Sequence, residues 1–188
     1  MSNQKLEDAM AELAACRKKV ADIQRAESGE TVGSYTLKDA DGNEVEFASL
    51  FGDKDDLIVV HNMGQGCRYC TLWADGFNGY FPHLENRAAF VLVSPDAPEK
   101  MAKFAEGRGW RFRMFSNHGG TFTRDMGFEN ENGGPLPGVS TFHRDANGKI
   151  TRVSRAFFGP GDEFCAVWPL FDMLRDGVNG WEPQYSYE

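Results

Sequence analysis

Two short stretches, residues 57–60 (Leu-Ile-Val-Val) and 89–94 (Ala-Phe-Val-Leu-Val-Ser), carry no charged side chain and none of the apolar/polar alternation of a half-buried strand. Unbroken apolar runs rich in β-branched residues fit strands covered on both faces, as in the middle of a parallel sheet. Parallel neighbours need a crossover of about a dozen residues or more, usually an α-helix. The segment between the runs offers one: after a Gly64-Gln65-Gly66 break, residues 68–80 hold few obstacles to a helix.

The alternation continues along the chain. Pro98 sits where a first helical turn tolerates it and opens a helix over 99–106 that stops at Gly107. Residues 110–115 read as a strand with Trp110, Phe112 and Met114 on one face and Arg111 and Arg113 on the other. A short helix is expected in 119–126, then a loop over 129–138. Hairpins turn at Asp41-Gly42, between Leu37 and Val45, and at Ala146-Asn147-Gly148, between strands over 139–144 and 149–156. A last helix is expected over 162–175, with Phe164, Val167, Trp168, Phe171 and Leu174 on its apolar side and Pro169 bending it.

Residues 2–27 contain neither Gly nor Pro and read as one helix, closed by Ser28 and Gly29. Leu6, Leu13 and Val20 recur every seven residues, as do Ala9, Cys16 and Ile23, which makes a seam of about three heptads, short for a coiled coil. Packing on its own domain is the expected use of that seam, with a homodimer as the alternative. The expected organisation is an N-terminal helix (1–28), one domain (29–177) and a Tyr- and Trp-bearing tail (178–188). Strands alternating with helices imply an α/β fold of three layers, a central mixed sheet with helices on both faces.

The chain has 188 residues, with 20 Lys and Arg against 28 Asp and Glu, a formal charge of −8. A basic footprint for nucleic acid or an acidic membrane is absent. No apolar run of 18 residues or more occurs, and the first residues show no basic region followed by an apolar one, so a cytoplasmic protein is expected. Four cysteines, Cys16, Cys67, Cys70 and Cys165, are too few for a disulfide scaffold. A thiol that matters in this chain is expected to be chemical.

Cys67-Arg68-Tyr69-Cys70 falls where a buried strand gives way to a helix. Unpaired N–H groups and the partial positive charge of a helix N-terminus stabilise a thiolate there and can bring a thiol from about 8.5 into the range ~3.5–7.5. Cys67 is therefore the candidate nucleophile, and Cys70, one turn on, the candidate resolving thiol. The competing readings are two incidental buried thiols and half of a zinc site. The zinc site lacks a second closely spaced Cys/His pair, because His61, His83, His118 and His143 are scattered and Cys16 and Cys165 are lone. Cys165, in an apolar stripe, is expected to be a small buried hydrophobe. Arg108, Arg111 and Arg113 suit a solvated strand face better than an anion site.

Over residues 31–159 the chain resembles the thioredoxin-like superfamily, and in particular its alkyl hydroperoxide reductase/thiol-specific antioxidant branch. The resemblance is carried by residues 35–42 (Tyr-Thr-Leu-Lys-Asp-Ala-Asp-Gly), 49–52 (Ser-Leu-Phe-Gly), the strand before Cys67, 92–96 (Leu-Val-Ser-Pro-Asp), 115–117 (Phe-Ser-Asn) and 141–148 (Thr-Phe-His-Arg-Asp-Ala-Asn-Gly). The whole chain also resembles an uncharacterised subgroup of predicted dithiol-disulfide oxidoreductases with a leading helix.

That resemblance implies a thioredoxin-like three-layer fold with an N-terminal helical extension, and a thiol-disulfide oxidoreductase needing no cofactor or metal. Its partners would be a protein or small-molecule disulfide and a thiol reductant, with neither nucleic acid nor membrane. Peroxiredoxins carry a proline seven residues before the reactive cysteine, a Thr or Ser three before it, and an arginine ahead of a later strand. Those places hold Val60, Gly64 and Val139, which weighs against a peroxide reductase as the first reading and keeps it as an alternative. The cis-proline that faces the dithiol in thioredoxins is Ser140, which leaves a non-catalytic metal or iron–sulfur binding module as a further alternative. The buried acid of thioredoxins is matched by His61, a candidate carrier of the Cys70 proton, with a core histidine as the plainer reading. Ser140, Arg68, Tyr69 and Trp73 are the candidate substrate-contacting residues.

Overall fold

A computed structural model describes residues 3–26 and 29–187. The expected helix limits at Ser2 and Glu27, and the closing Ser28, lie outside the described residues. The strands are β1 (Glu30–Thr31), β2 (Thr36–Lys38), β3 (Glu44–Glu46), β4 (Asp56–His61), β5 (Ala89–Ser94), β6 (Arg113–Ser116), β7 (Gly138–Arg144) and β8 (Ile150–Phe157). The helices are α1 (Gln4–Ala26), α2 (Arg68–Arg87), α3 (Pro98–Arg108), α4 (Phe122–Asp125) and α5 (Val167–Asp172), with a 3-10 turn at Phe47–Phe51.

The strands form one mixed sheet in the order β1-β8-β7-β4-β5-β6-β2-β3. The two apolar runs make its centre, β4 and β5 pairing in parallel with Leu57 opposite Ala89 and His61 opposite Val93. All six residues of β5 are buried, as a central strand covered on both faces requires. On its other edge β4 meets β7 antiparallel, Val59 opposite Ser140 and His61 opposite Gly138.

Because side chains alternate along a strand, β4 feeds two separate core layers. Leu57 and Val59 join Val91, Val93, Phe122, Phe128, Phe142 and the 3-10 turn's Phe47, Leu50 and Phe51 on one face. Val60 joins Leu92 with Trp73, Ala74 and Phe81 of α2 and Trp168 of α5 on the other. The fold is thus the expected layered α/β architecture of a mixed sheet between helical layers.

Several boundaries differ from expectation for identifiable reasons. The helix α2 continues past Tyr80 through Pro82 to Arg87. A proline leaves the carbonyl four residues back without its N–H partner, and here the Asn78 carbonyl accepts instead from Arg111 Nη2 at 2.6 Å. In α3 the helix runs through Gly107 and ends at Gly109, whose left-handed φ of 65° makes the turn. Of the expected 110–115 strand only residues 113–115 pair with the sheet, and the strand runs on to Ser116. The expected helix over 162–175 is one turn and a half, 167–172, with Pro169 in its first turn, where its missing N–H costs nothing. Phe164 and Leu174 of its expected apolar side are exposed, whereas Trp168 and Cys165 are buried.

The seam of α1 is not packed on the domain. The helix has no buried residue, and Leu6, Met10, Leu13, Val20 and Ile23 are 46–61% exposed. Contact with the body runs along another face, where Ala21, Gln24 and Arg25 lie over β7 and β8 and Arg17 pairs with Glu163 at 2.8 Å. No helix among the described residues is long and apolar enough to cross a membrane.

Candidate active site

The chain leaves the end of β4 and must reverse within six residues, 62–67, to start α2. Asn62, itself buried, holds the turn from within, its Oδ1 accepting from the Gly64 N–H at 2.7 Å. Gly64 has φ +93°, and a Cβ there would stand 2.9 Å from Asp96 Oδ2. That carboxylate, just beyond β5, accepts from the Gln65 N–H at 2.7 Å and from Ser94 Oγ at 3.2 Å. Both central strands thereby clamp the turn that presents Cys67.

Cys67 has extended backbone angles and is the N-cap of α2, its Sγ accepting from the Cys70 N–H at 3.1 Å. This is the bond that a Ser or Asp N-cap makes with its oxygen, and here it falls on a sulfur. Both thiols are free, Cys67 partly open to solvent and Cys70 only 3% exposed. The hydrogen bond from the Cys70 thiol, helped by the N–H groups of Cys70 and Tyr69, brings the Cys67 thiol down to about 7 against the opposing effect of burial. Cys70 is pushed far above the usual thiol range, first by the bond it gives to Cys67, then by burial and by the neighbouring negative sulfur. The two sulfurs therefore differ, Cys67 the more easily ionised and the reachable one, Cys70 held in its thiol form and covered.

Other candidate residues lie in varied surroundings. His61 is 1% exposed, its Nε2 lies 3.0 Å from Ser140 Oγ, and its ring stacks on Phe128 at 3.8 Å and Phe122 at 5.6 Å. Those rings belong to the core layer on the sheet face away from α2, so the fold does not bring His61 to Cys70. Burial lowers the His61 pKa from 6.5 to about 3, Arg152 adding to the effect, which keeps the ring neutral. Nδ1 of that ring is buried without a hydrogen-bond partner among the described residues. Ser140 is 0% exposed and is taken up by His61. Trp73 is buried and donates to Asp162 Oδ1 at 3.3 Å. Tyr69 is half-buried between Trp73 and Trp168, and Arg68 is exposed.

A contribution that sequence reading missed comes from the C-terminal segment. Trp181 packs on Phe171 and Trp168. Glu182 then pairs with Arg68 at 3.1 Å, and the Tyr185 hydroxyl donates to the Gln65 carbonyl at 3.0 Å. The expected tail is therefore laid beside the dithiol turn. These contacts span 114 and 120 positions along the chain, and no local pattern marks them. Asp96 did carry a signal, in the Ser-Pro-Asp stretch that begins with the last residue of β5.

Among the described residues, no group of three or more His, Cys, Asp or Glu gathers to hold a metal. His143 pairs with Asp56 at 2.9 Å, and His118 Nδ1 lies 3.2 Å from the Pro95 carbonyl oxygen. The three arginines serve structure: Arg108 pairs with Asp75, Arg111 serves Asn78, and Arg113 donates to the Leu50 carbonyl.

A family model described as a bacterial protein of unknown function, DUF899, matches residues 2–186. A Mycobacterium tuberculosis protein with a provisional peroxiredoxin name is 32% identical over 132 residues, covering 67% of this chain and 83% of the relative. The crystal structure of peroxidoxin BcpB from Mycobacterium tuberculosis superposes with a TM-score of 0.54 at 27% identity, over 65% of this chain and 81% of that one. A peroxiredoxin Q structure from Xanthomonas campestris gives a TM-score of 0.58 at 16% identity, over 71% and 87% of the two chains, a likeness of fold.

Proposed function

The chain belongs to the DUF899 family of bacterial proteins, on the peroxiredoxin branch of the thioredoxin-like superfamily, and from that premise we propose that it is a dithiol-disulfide oxidoreductase working through Cys67 and Cys70. Thiol-based redox chemistry is common ground with its peroxiredoxin relatives. The observation that carries the finer reading is the division between the two sulfurs, Cys67 partly open at the helix N-cap with its pKa brought down to about 7 and Cys70 buried with its pKa pushed up.

In the proposed cycle the Cys67 thiolate attacks one sulfur of a substrate disulfide, forming a mixed disulfide and releasing the other half as a thiolate. Cys67 has then lost its charge and no longer accepts a thiol hydrogen bond, so the largest cause of the raised Cys70 pKa is gone. Cys70 gives its proton to the departing thiolate or to solvent, attacks Cys67 Sγ and expels the second substrate thiolate. An external thiol reductant returns the Cys67–Cys70 disulfide to the dithiol in a reducing compartment. His61 takes no part in this proton path. Arg68 and Tyr69 border the open thiol, whereas buried Ser140 and Trp73 act through packing. The apolar seam of α1 is the place this reading reserves for a homodimer contact, since Leu6, Leu13 and Val20 stay about half exposed.

Peroxide reduction by the same pair is the second reading, favoured by the names of the relatives. The thiolate would take one peroxide oxygen to become a sulfenic acid, releasing an alkoxide, and Cys70 would condense with it to a disulfide and water. Gly64 argues against it as the principal activity. At φ +93°, with the Asp96 carboxylate where a Cβ would stand, that position has no room for the peroxide-polarising hydroxyl of peroxiredoxins.

In glutathione redox buffers, thiol trapping and mass spectrometry should find a reversible two-electron transition confined to Cys67 and Cys70. Cys67→Ser should abolish exchange and Cys70→Ser should stall as a mixed disulfide. An unchanged exchange rate in Cys67→Ser would overturn the reading. Oxidation of Cys67 by hydrogen peroxide faster than by disulfides would favour the second one.

A further inference from the structure

Beside the dithiol turn lies a cleft of about 520 Å³ lined by Gln65, Lys100, Lys103, Phe104, Gly107 and Arg108. Three of its six lining residues are cationic and none is acidic, in a chain whose formal charge is −8. Arg108 is engaged with Asp75 and with the Tyr185 carbonyl oxygen, the latter at 2.5 Å, and so forms a fixed wall. Lys100 reaches Asp96 only at 3.8 Å, and Lys103 is exposed with no ion pair among the described residues. Phe104 supplies an apolar floor and meets Tyr185 edge to face. Tyr185 in turn is bonded to the Gln65 carbonyl, which ties the cleft to the turn carrying Cys67. Gln65 is two residues from Cys67, so their Cα atoms are at most about 7 Å apart.

We propose that this cleft is a subsite for the carboxylate-bearing half of a small or peptidic disulfide, holding it beside Cys67 while the exchange takes place. The volume suits a ligand of a few amino acids. Lys103, and Lys100 from its long contact with Asp96, would take the carboxylates, and Phe104 with the lysine stems would cover the apolar part. Gln65, which borders both the cleft and the Cys67 turn, places the reacting sulfur at the open thiolate. The subsite rests on the exchange reading above and adds its substrate class: the thiolate of Cys67 displaces the far half of the disulfide as a thiolate, while the half in the cleft stays bound as the mixed disulfide.

The test compares two probes, oxidised glutathione, which carries carboxylates, and cystamine, which carries only ammonium groups, on the full chain and on Lys103→Glu and Lys100→Glu. Oxidised glutathione should oxidise Cys67 about tenfold more slowly in each variant, a loss of about 1.4 kcal/mol, with cystamine unchanged or faster and the contrast shrinking at high salt. Binding of S-methylglutathione, a thioether that cannot exchange, to Cys67→Ser should weaken in the same variants. Rates with oxidised glutathione within twofold of the parent, together with unweakened S-methylglutathione binding, would overturn the subsite. Reaction of Cys67 with neither disulfide would instead overturn the exchange reading, and S-methylglutathione binding would then decide the cleft by itself.

Discussion

His61 and Cys67 leave the same end of β4 six residues apart and finish in opposite environments. The histidine is sealed between Phe128 and Ser140 and held neutral, while the cysteine stands at a helix N-terminus, partly open and ionised near neutrality. Each is a titratable group shifted downward, yet by unlike causes. Burial removes the charge from His61, and directed hydrogen bonds supply it to Cys67. A displaced pKa therefore marks a reactive group only where donors aim at it and solvent reaches it, a distinction that separates the core histidine from the candidate nucleophile.

The largest effect expected from this contrast is on acid stability. His61 titrates at 6.5 when unfolded and at about 3 when folded, so the unfolded chain binds its proton first as pH falls. Its favourable contribution is whole above pH 6.5 and is lost progressively on the way down toward about pH 3, with a limiting slope of about 1 kcal/mol per pH unit between the two. Urea unfolding measured from pH 7 to 4 should show this slope in the parent and lose it in His61→Gln. Parallel slopes would break the comparison on the histidine side.

The turn that separates the two groups is the next place to press. Gly64→Ala puts a Cβ at a positive φ and against the Asp96 carboxylate, which should cost about 1–3 kcal/mol. Thermal unfolding should register it, and the exchange rate should fall further than stability does, because the displaced turn carries Cys67. A smaller change sharpens the other side. Cys70→Ala removes the first cause of the lowered Cys67 pKa and keeps the backbone N–H donors, so the inflection of alkylation rate against pH should move up from about 7 toward 9. An unmoved inflection would assign the ionisation to the helix terminus alone.

Much of the architecture was legible one residue at a time. The runs at 57–60 and 89–94 needed only composition to be read as central strands, because a strand covered on both faces admits no polar alternation. Cys67 and Cys70 were legible as a pair for the same local reason, since a strand-to-helix junction makes an N-cap wherever it falls. The continuation of α2 past Pro82 was not, because the arginine that takes the orphaned Asn78 carbonyl lies 33 positions away. Nor was the seam of α1, whose periodicity marks an apolar stripe without saying which face meets the domain.

By itself, then, the amino-acid order determined the strand-helix alternation, the two central strands and the place of the Cys67–Cys70 pair at a strand-to-helix junction, all set by contacts within a few residues. Tertiary structure alone decided that His61 looks away from the dithiol, that Asp96 locks its turn, and that Glu182 and Tyr185 lie beside it. Those outcomes depend on which sheet face each residue meets and on pairs more than a hundred positions apart, and local propensity carries no information about either.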